Sequence, residues 1–220
     1  MDSKTVMLLL NGLVETVYMT LVSTALGYLI GLPIGILLTV TDKEGIHPNA
    51  LVYRIMDVII NIMRSIPFLI LLILLIPFTR FLVGKSYGTT ATIVPLVVSA
   101  APYIARMVES SLKEVDSGVI EAARSMGASN PAIVFRVLLV EAKTSLITGA
   151  TITLGTILGY SAMAATIGGT GPGQIAVSYG HQRFNPDVTW CCVFLTVIIV
   201  QIIQEAGNRI ARRTDKRYRA

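Results

Sequence analysis

An all-α, polytopic membrane protein with about five transmembrane helices is the fold class this sequence predicts, on three observations. Of its 220 residues, 53% are hydrophobic and only 14% charged, with mean hydropathy +0.70; soluble domains carry about 25% charged residues. Apolar residues gather in five long runs, 13–40, 55–78, 89–107, 137–167 and 186–209. A crossing takes about 20 apolar residues, so five such runs with short loops use up the chain and leave little for a catalytic domain outside the bilayer. Basic residues are also unevenly shared between the two sides of those runs. Disorder is excluded by the apolar content. Continuous rather than alternating runs favour helices over a β-barrel, because backbone groups in lipid must be satisfied within the segment.

Orientation follows from Lys and Arg. Lys4, Arg80, Lys85 and Arg183 fall on one side, Arg64 lies within the second run, and the other thirteen basic residues fall on the opposite side. The positive-inside rule places the N-terminus outside and the C-terminus in the cytoplasm. The expected organisation is an outer segment 1–12, a transmembrane domain 13–209 and a basic cytoplasmic tail 210–220 lying on anionic headgroups. The net charge of +5 is thereby accounted for without nucleic acid. Met1-Asp2-Ser3-Lys4 lacks the positive start of a signal peptide, so the first span is expected to be retained.

In the first run, Gly27, Gly31 and Gly35 recur every four residues, which lets another helix backbone approach. Packing within one subunit is the expected use. Gly155 and Gly159 repeat the spacing in the fourth run, where a subunit interface is the alternative. Pro33, Pro67, Pro77 and Pro95 predict kinks or span ends. Arg64 is the charge set deepest in a span, a candidate scaffold charge that snorkels or binds backbone carbonyls. Tyr160, Ser161 and Met163, in the outer half of the fourth run, are candidate pore or gate residues: a path for a small amphipathic solute needs an apolar closure with occasional polar groups. Packing and lipid contact are equally open to each of the three. Cys191 and Cys192 are neighbours in an apolar run and are expected to be free buried thiols.

The loop between the third and fourth runs, about 113–136, is the most informative stretch. Asp116 or Ser117 can cap a helix, and Glu121 favours the helix dipole in or near its first turn. Val119, Ile120, Ala123 and Met126 share a face at helical spacing. Gly127 suits the left-handed residue that ends a helix, and Asn130-Pro131 reads as the cap and first residue of a second short helix. The expectation is a cytoplasmic helix–corner–helix whose small residues, Ala122, Ala123 and Ser125, allow close docking of another protein.

Glu121-Ala122-Ala123, then Gly127, then Val137-Leu138-Leu139 resembles the EAA loop of permease subunits in binding-protein-dependent ABC importers (type I importer permeases). The likeness runs from the first span through the fifth, with Val140 where the family usually has proline. Asn61–Leu69, Ile104–Glu109, Gly159–Met163 and Gly171–Ile175 resemble the methionine importer permeases among them. The resemblance implies a bacterial inner-membrane protein working with a second copy of itself. It implies two ATPase subunits docked through Glu121, Ala122, Ala123 and Gly127, and a separate substrate-binding protein that delivers an amino acid, methionine, from outside. ATP and Mg would be used by the ATPase, with no cofactor bound by this chain.

Other chemistries lack their residues. Gly168–Gln174 is glycine-rich but has no Walker lysine, so it is expected to end the fourth helix and start an outer loop. His47 and His181 fall in loops on opposite sides, and no H-E-x-x-H or G-x-S-x-G occurs. Carboxylates are missing from the middle of the spans, which argues against coupling to an ion gradient and fits an external energy source. A stand-alone channel or secondary transporter is the competing class; it has no reason to carry an EAA loop.

Overall fold

The computed structural model describes residues 3–215. Among these residues, four helices are long and apolar enough to cross a membrane: α1 (Ser3–Thr41), α5 (Thr89–Lys113), α9 (Lys143–Ala164, prolonged by a 3-10 turn to Ile167) and α11 (Pro186–Thr214). Among the described residues, the candidate for a fifth crossing is a broken one. α2 (Ala50–Ser65) and α3 (Phe68–Leu74) qualify together but are bent by 99°, and α4 (Ile76–Val83) follows. The run expected over 55–78 is thus divided, at Pro67, where a kink or span end was expected. Asn49 starts α2 by accepting from the Val52 amide at 3.1 Å. Pro67 stops it by forcing Ile66 into an extended conformation (φ −78°, ψ 120°).

The longest seam is α1 against α5, in parallel. Gly27 faces Ala100, Gly31 faces Ala101 and Ile104, and Gly35 faces Ala105 and Val108. A Cβ on Gly31 would lie 2.6 Å from the Ala101 carbonyl oxygen, and one on Gly35 would lie 2.6 Å from that of Ala105. The spacing read from the sequence therefore serves packing within the protomer. Gly159 differs: a Cβ there would meet nothing within 4 Å. The main core joins Met19 of α1, Leu96, Ile104 and Val108 of α5, Leu138 between α5 and α9, and Ile157 of α9. In the most apolar window of α5, 67% of residues are buried, against 11% in α11, so α5 is the central post and α11 lies on the perimeter.

Several boundaries shift. α1 starts at Ser3, so the expected outer segment 1–12 is helical from that residue on. Asn11, Gly12 and Glu15 interrupt the apolar run but not the helix, because Leu9 packs with Ile175 of α10 (Pro172–Ile175), Val188 and Cys192. α5 runs to Lys113 and takes Glu109 into its last turns. α11 begins at Pro186, as expected, but continues to Thr214, so Arg209, Arg212 and Arg213 are helical. Lys216, Arg217 and Arg219 of the basic tail lie outside the described residues. Gly168 is left-handed (φ 84°) and ends the fourth helix; its carbonyl accepts from the Gly88 amide at 2.9 Å, next to the start of α5.

Candidate functional site

After Lys113 the chain leaves the bundle and builds α6 (Ser117–Ser125). Asp116 is its cap: the carboxylate accepts from the Gly118 amide at 2.8 Å. At the other end the Ala128 amide donates to the Ala123 carbonyl (3.1 Å) and the Gly127 amide to that of Arg124 (2.9 Å). This Schellman closure requires a left-handed residue, supplied by Gly127 at φ 79°. The second helix starts one residue earlier than expected. Ser129 is the cap of α7 (Asn130–Ile133), Pro131 sits in its first turn, and a π turn (Val134–Leu138) carries the chain to α8 (Leu139–Glu141). Such π segments are uncommon and concentrate at functional sites.

The four loop residues singled out in the sequence do not share one surface. Glu121 and Ala122 are exposed, as is Gly127 at the corner, but Ala123 is 5% exposed and faces the protomer. Glu121 is the fifth residue of α6 and lies past the first turn, where Asp116 instead meets the dipole. The expected apolar face divides: Ile120 and Ala123 pack inward, while Val119 and Met126, the latter 82% exposed, face out. Met126 caps the helix, beyond its periodicity.

The α1–α2 loop is tied once to α6 and once to the end of α5. Arg124 Nη2 donates to the Ile46 carbonyl at 2.7 Å. Lys113, at the root of the loop, pairs with Asp42, and its hydrogen bond holds the Asp42 carboxyl below the usual carboxylate range. Beneath this lies a charge cluster to which the sequence reading gave no role. Glu109 is 1% exposed. Its carboxylate accepts from Tyr53 (3.1 Å), Arg106 (2.7 Å) and Lys113 (2.8 Å). Arg106 also reaches Asp57 at 2.5 Å and Asn61 at 3.0 Å, both on α2. The legible part of the signal was the helical spacing of Arg106, Glu109 and Lys113. Arg64, the arginine singled out in the sequence, is instead exposed in the last turn of α2, where its charge complements the helix terminus.

The three pore candidates separate as well. Met163 is 51% exposed on a face of α9 that also carries Thr148, Ile152 and Gly159, all exposed at helical spacing. Ser161 is 1% exposed and its hydroxyl donates to the Leu158 carbonyl at 2.7 Å. Tyr160 is half-buried and stacks on Phe68 of α3, ring centroids 4.6 Å apart and planes 4° off parallel. Met163 sits near the start of α5 and α6 beyond its end, about 35 Å apart by helix rise. At the α6 end a cavity of about 900 Å³ opens between the ends of α5 and α11 and the first turns of α9, with Asp116, Lys143, Thr148 and Arg213 on its walls. The exposed face of α9 thus runs from this cavity to Met163.

Known proteins share this architecture. The family described as binding-protein-dependent transport system inner membrane component matches residues 31–220. The D-methionine transport system permease protein of Escherichia coli (strain K12) is 50% identical over 210 residues, 96% of this chain and 97% of that protein. The protein of the same description from Salmonella typhimurium is 55% identical over 156 residues, 71% of this chain and 72% of the other. A chain from a solved structure of the MetNI methionine ABC transporter, described as inward facing, superposes with TM-score 0.97 at 50% identity, covering 98% of this chain and 100% of its own length. An amino acid ABC transporter structure matches with TM-score 0.75 at 22% identity and shares the fold.

Proposed function

The chain belongs to the family of binding-protein-dependent transport system inner membrane components, and from that premise we propose that it is the permease subunit of an ATP-driven methionine importer. The observation that carries the proposal is likeness over the full chain, in sequence and fold together, to a methionine transporter permease. Two copies of the chain form the translocation path. Two ATPase subunits, which use ATP and Mg, dock on α6, and an extracytoplasmic binding protein delivers substrate. The end of the bundle that bears α6 faces the cytoplasm, with the N-terminus outside, as the distribution of Lys and Arg supports.

The geometry supports a simple division of labour. α6 is capped at both ends and held to the α1–α2 loop, so it moves as a short rigid body. ATP brings the ATPase subunits together, and the two α6 helices move with them. For this to drive transport, ATP must favour one state of the permease over the other. Substrate then passes along the exposed face of α9, from Met163 to the cavity at the cytoplasmic end. The flexible thioether of Met163 seals the path in one state and withdraws in the other.

Two measurements test this reading. Proteoliposomes holding the chain, its ATPase partner and the binding protein should accumulate labelled methionine only with ATP, and omission of the ATPase should abolish uptake. Accumulation by the chain alone would favour a stand-alone transporter. Met163→Ala should raise the ATP-independent leak of preloaded methionine while the ATPase still co-purifies. Leak and uptake equal to wild type would remove Met163 from the gate.

A further inference from the structure

We infer that the broken second span, α2–α3, is a strut that carries the displacement of α6 to the gate region of α9, and that Arg106, Glu109, Phe68 and Tyr160 are its positioning residues. The inference rests on the importer reading above. That reading requires motion at α6 to reach Met163 about 35 Å away, and α9 does not run directly on from α6. The route through α2 is continuous.

At its cytoplasmic end α2 starts from the loop whose Ile46 carbonyl accepts from Arg124 of α6 at 2.7 Å. One turn along, Tyr53 donates to Glu109, and one turn further Asp57 pairs with Arg106. Ile60 is buried against Leu38 of α1 and Ala105 of α5. This joint resists opening: drawing α2 away from α5 would take Asp57 and Asn61 from Arg106 and the Tyr53 hydroxyl from the buried Glu109, which would keep only Arg106 and Lys113 of its own helix. α2 therefore moves with the root of the α6 loop rather than sliding past it.

At its far end the 99° bend turns the chain so that Phe68, the first residue of α3, lies flat on Tyr160. Tyr160 is one helical turn before Met163 on α9. The bend converts movement along α2 into movement of α3 against α9, and the parallel ring contact passes it on. Both halves of the route are contacts between rigid elements, and coupling along it requires that α3 take a different position against α9 in each state of the permease.

The test compares methionine moved per ATP hydrolysed in the reconstituted complex. Tyr160→Leu and Phe68→Leu are each expected to lower that ratio about tenfold, within the usual range of coupling between sites, with the ATPase still bound and still hydrolysing ATP. Tyr160→Phe, which keeps the stacked ring, should restore it. The double Leu variant should be no worse than either single one, because both break the same link. A ratio unchanged from wild type, a loss that follows the amount of assembled complex, or equal behaviour of Tyr160→Phe and Tyr160→Leu would overturn the strut. Should Tyr160→Leu fail to assemble, Arg124→Gln reads the other end, and an unchanged ratio there overturns it equally. A wild-type complex that moves no methionine with ATP would sink the importer reading and the strut with it; an active wild type with unaltered variants overturns the strut alone.

Discussion

Replacing Gly127 with valine should cut ATP-driven methionine uptake about tenfold, while the chain still inserts and its spans stay folded. The effect is conformational. Gly127 holds φ at 79°, and its amide closes the last turn of α6 on the Arg124 carbonyl. A side chain in that region costs an L-residue about 1–2 kcal/mol, and a β-branched one is a genuine outlier there. The energy shifts the turn away from the closed form, and α6 no longer meets its partner at a fixed angle. Nothing lies within 4 Å of a Cβ built on Gly127, so steric crowding within the protomer contributes nothing. Asparagine, which tolerates the left-handed region, should therefore behave close to wild type. Co-purification of the ATPase and the initial rate of uptake are the measurements. Equal activity of the valine and asparagine variants would show that the backbone of this corner does not matter to coupling.

Gly31→Leu should have the larger effect on the protein itself: loss of folded, extractable chain. A Cβ at Gly31 would sit 2.6 Å from the Ala101 carbonyl oxygen and 2.8 Å from Ile104 Cβ. Neither is the free end of a flexible side chain, so α1 and α5 must separate. Overpacking a core commonly costs 1–3 kcal/mol, and a clash with backbone along the central seam belongs at the upper end, about 3 kcal/mol. That is roughly a hundredfold in the folded-to-unfolded ratio. Gly35→Leu should act alike, since its Cβ would meet the Ala105 oxygen and Val108 Cβ, both at 2.6 Å. Gly159→Leu is the control, because no atom stands within 4 Å. Thermal denaturation in detergent should show a lowered midpoint for the first two and a folded, stable protomer for the third. A Gly31→Leu protein as stable as wild type would contradict the seam.

The contrast between Gly31 and Gly159 shows what the sequence could and could not disclose. Both belong to small-residue repeats of the same spacing, and nothing local distinguishes a repeat that packs inside the protomer from one whose face is open. α6 was legible because its signals are local: Asp116 to cap, Gly127 to close, and small residues between. The start of α11 at Pro186 was legible for the same reason. Pro67 announced a break in the second span, but the 99° turn depends on where Phe68 finds a surface, and that surface is Tyr160, remote in sequence. Arg64 drew attention by its depth in an apolar run. Arg106 is the arginine in the buried cluster, and its partner Asp57 lies 49 positions away, beyond any helical spacing rule. Ser161 and Met163 are neighbours in sequence but about 200° apart around the helix, so one faces the core and the other the open side.

Cross-linking from α6 tests the account most directly. With Cys191 and Cys192 replaced by alanine, a single cysteine is placed at Ala122, on the exposed side of α6, at Ala123, on the buried side, or at Val193, exposed on α11. Each variant is assembled with the ATPase and treated with a short thiol-to-amine cross-linker. Docking through α6 predicts a covalent adduct with the ATPase from Ala122→Cys, weak or no adduct from Ala123→Cys, and none from Val193→Cys, with the first adduct changing in yield when ATP is added. A complex that still imports methionine but gives no adduct from Ala122→Cys, or gives it equally from Val193→Cys, would contradict docking through α6.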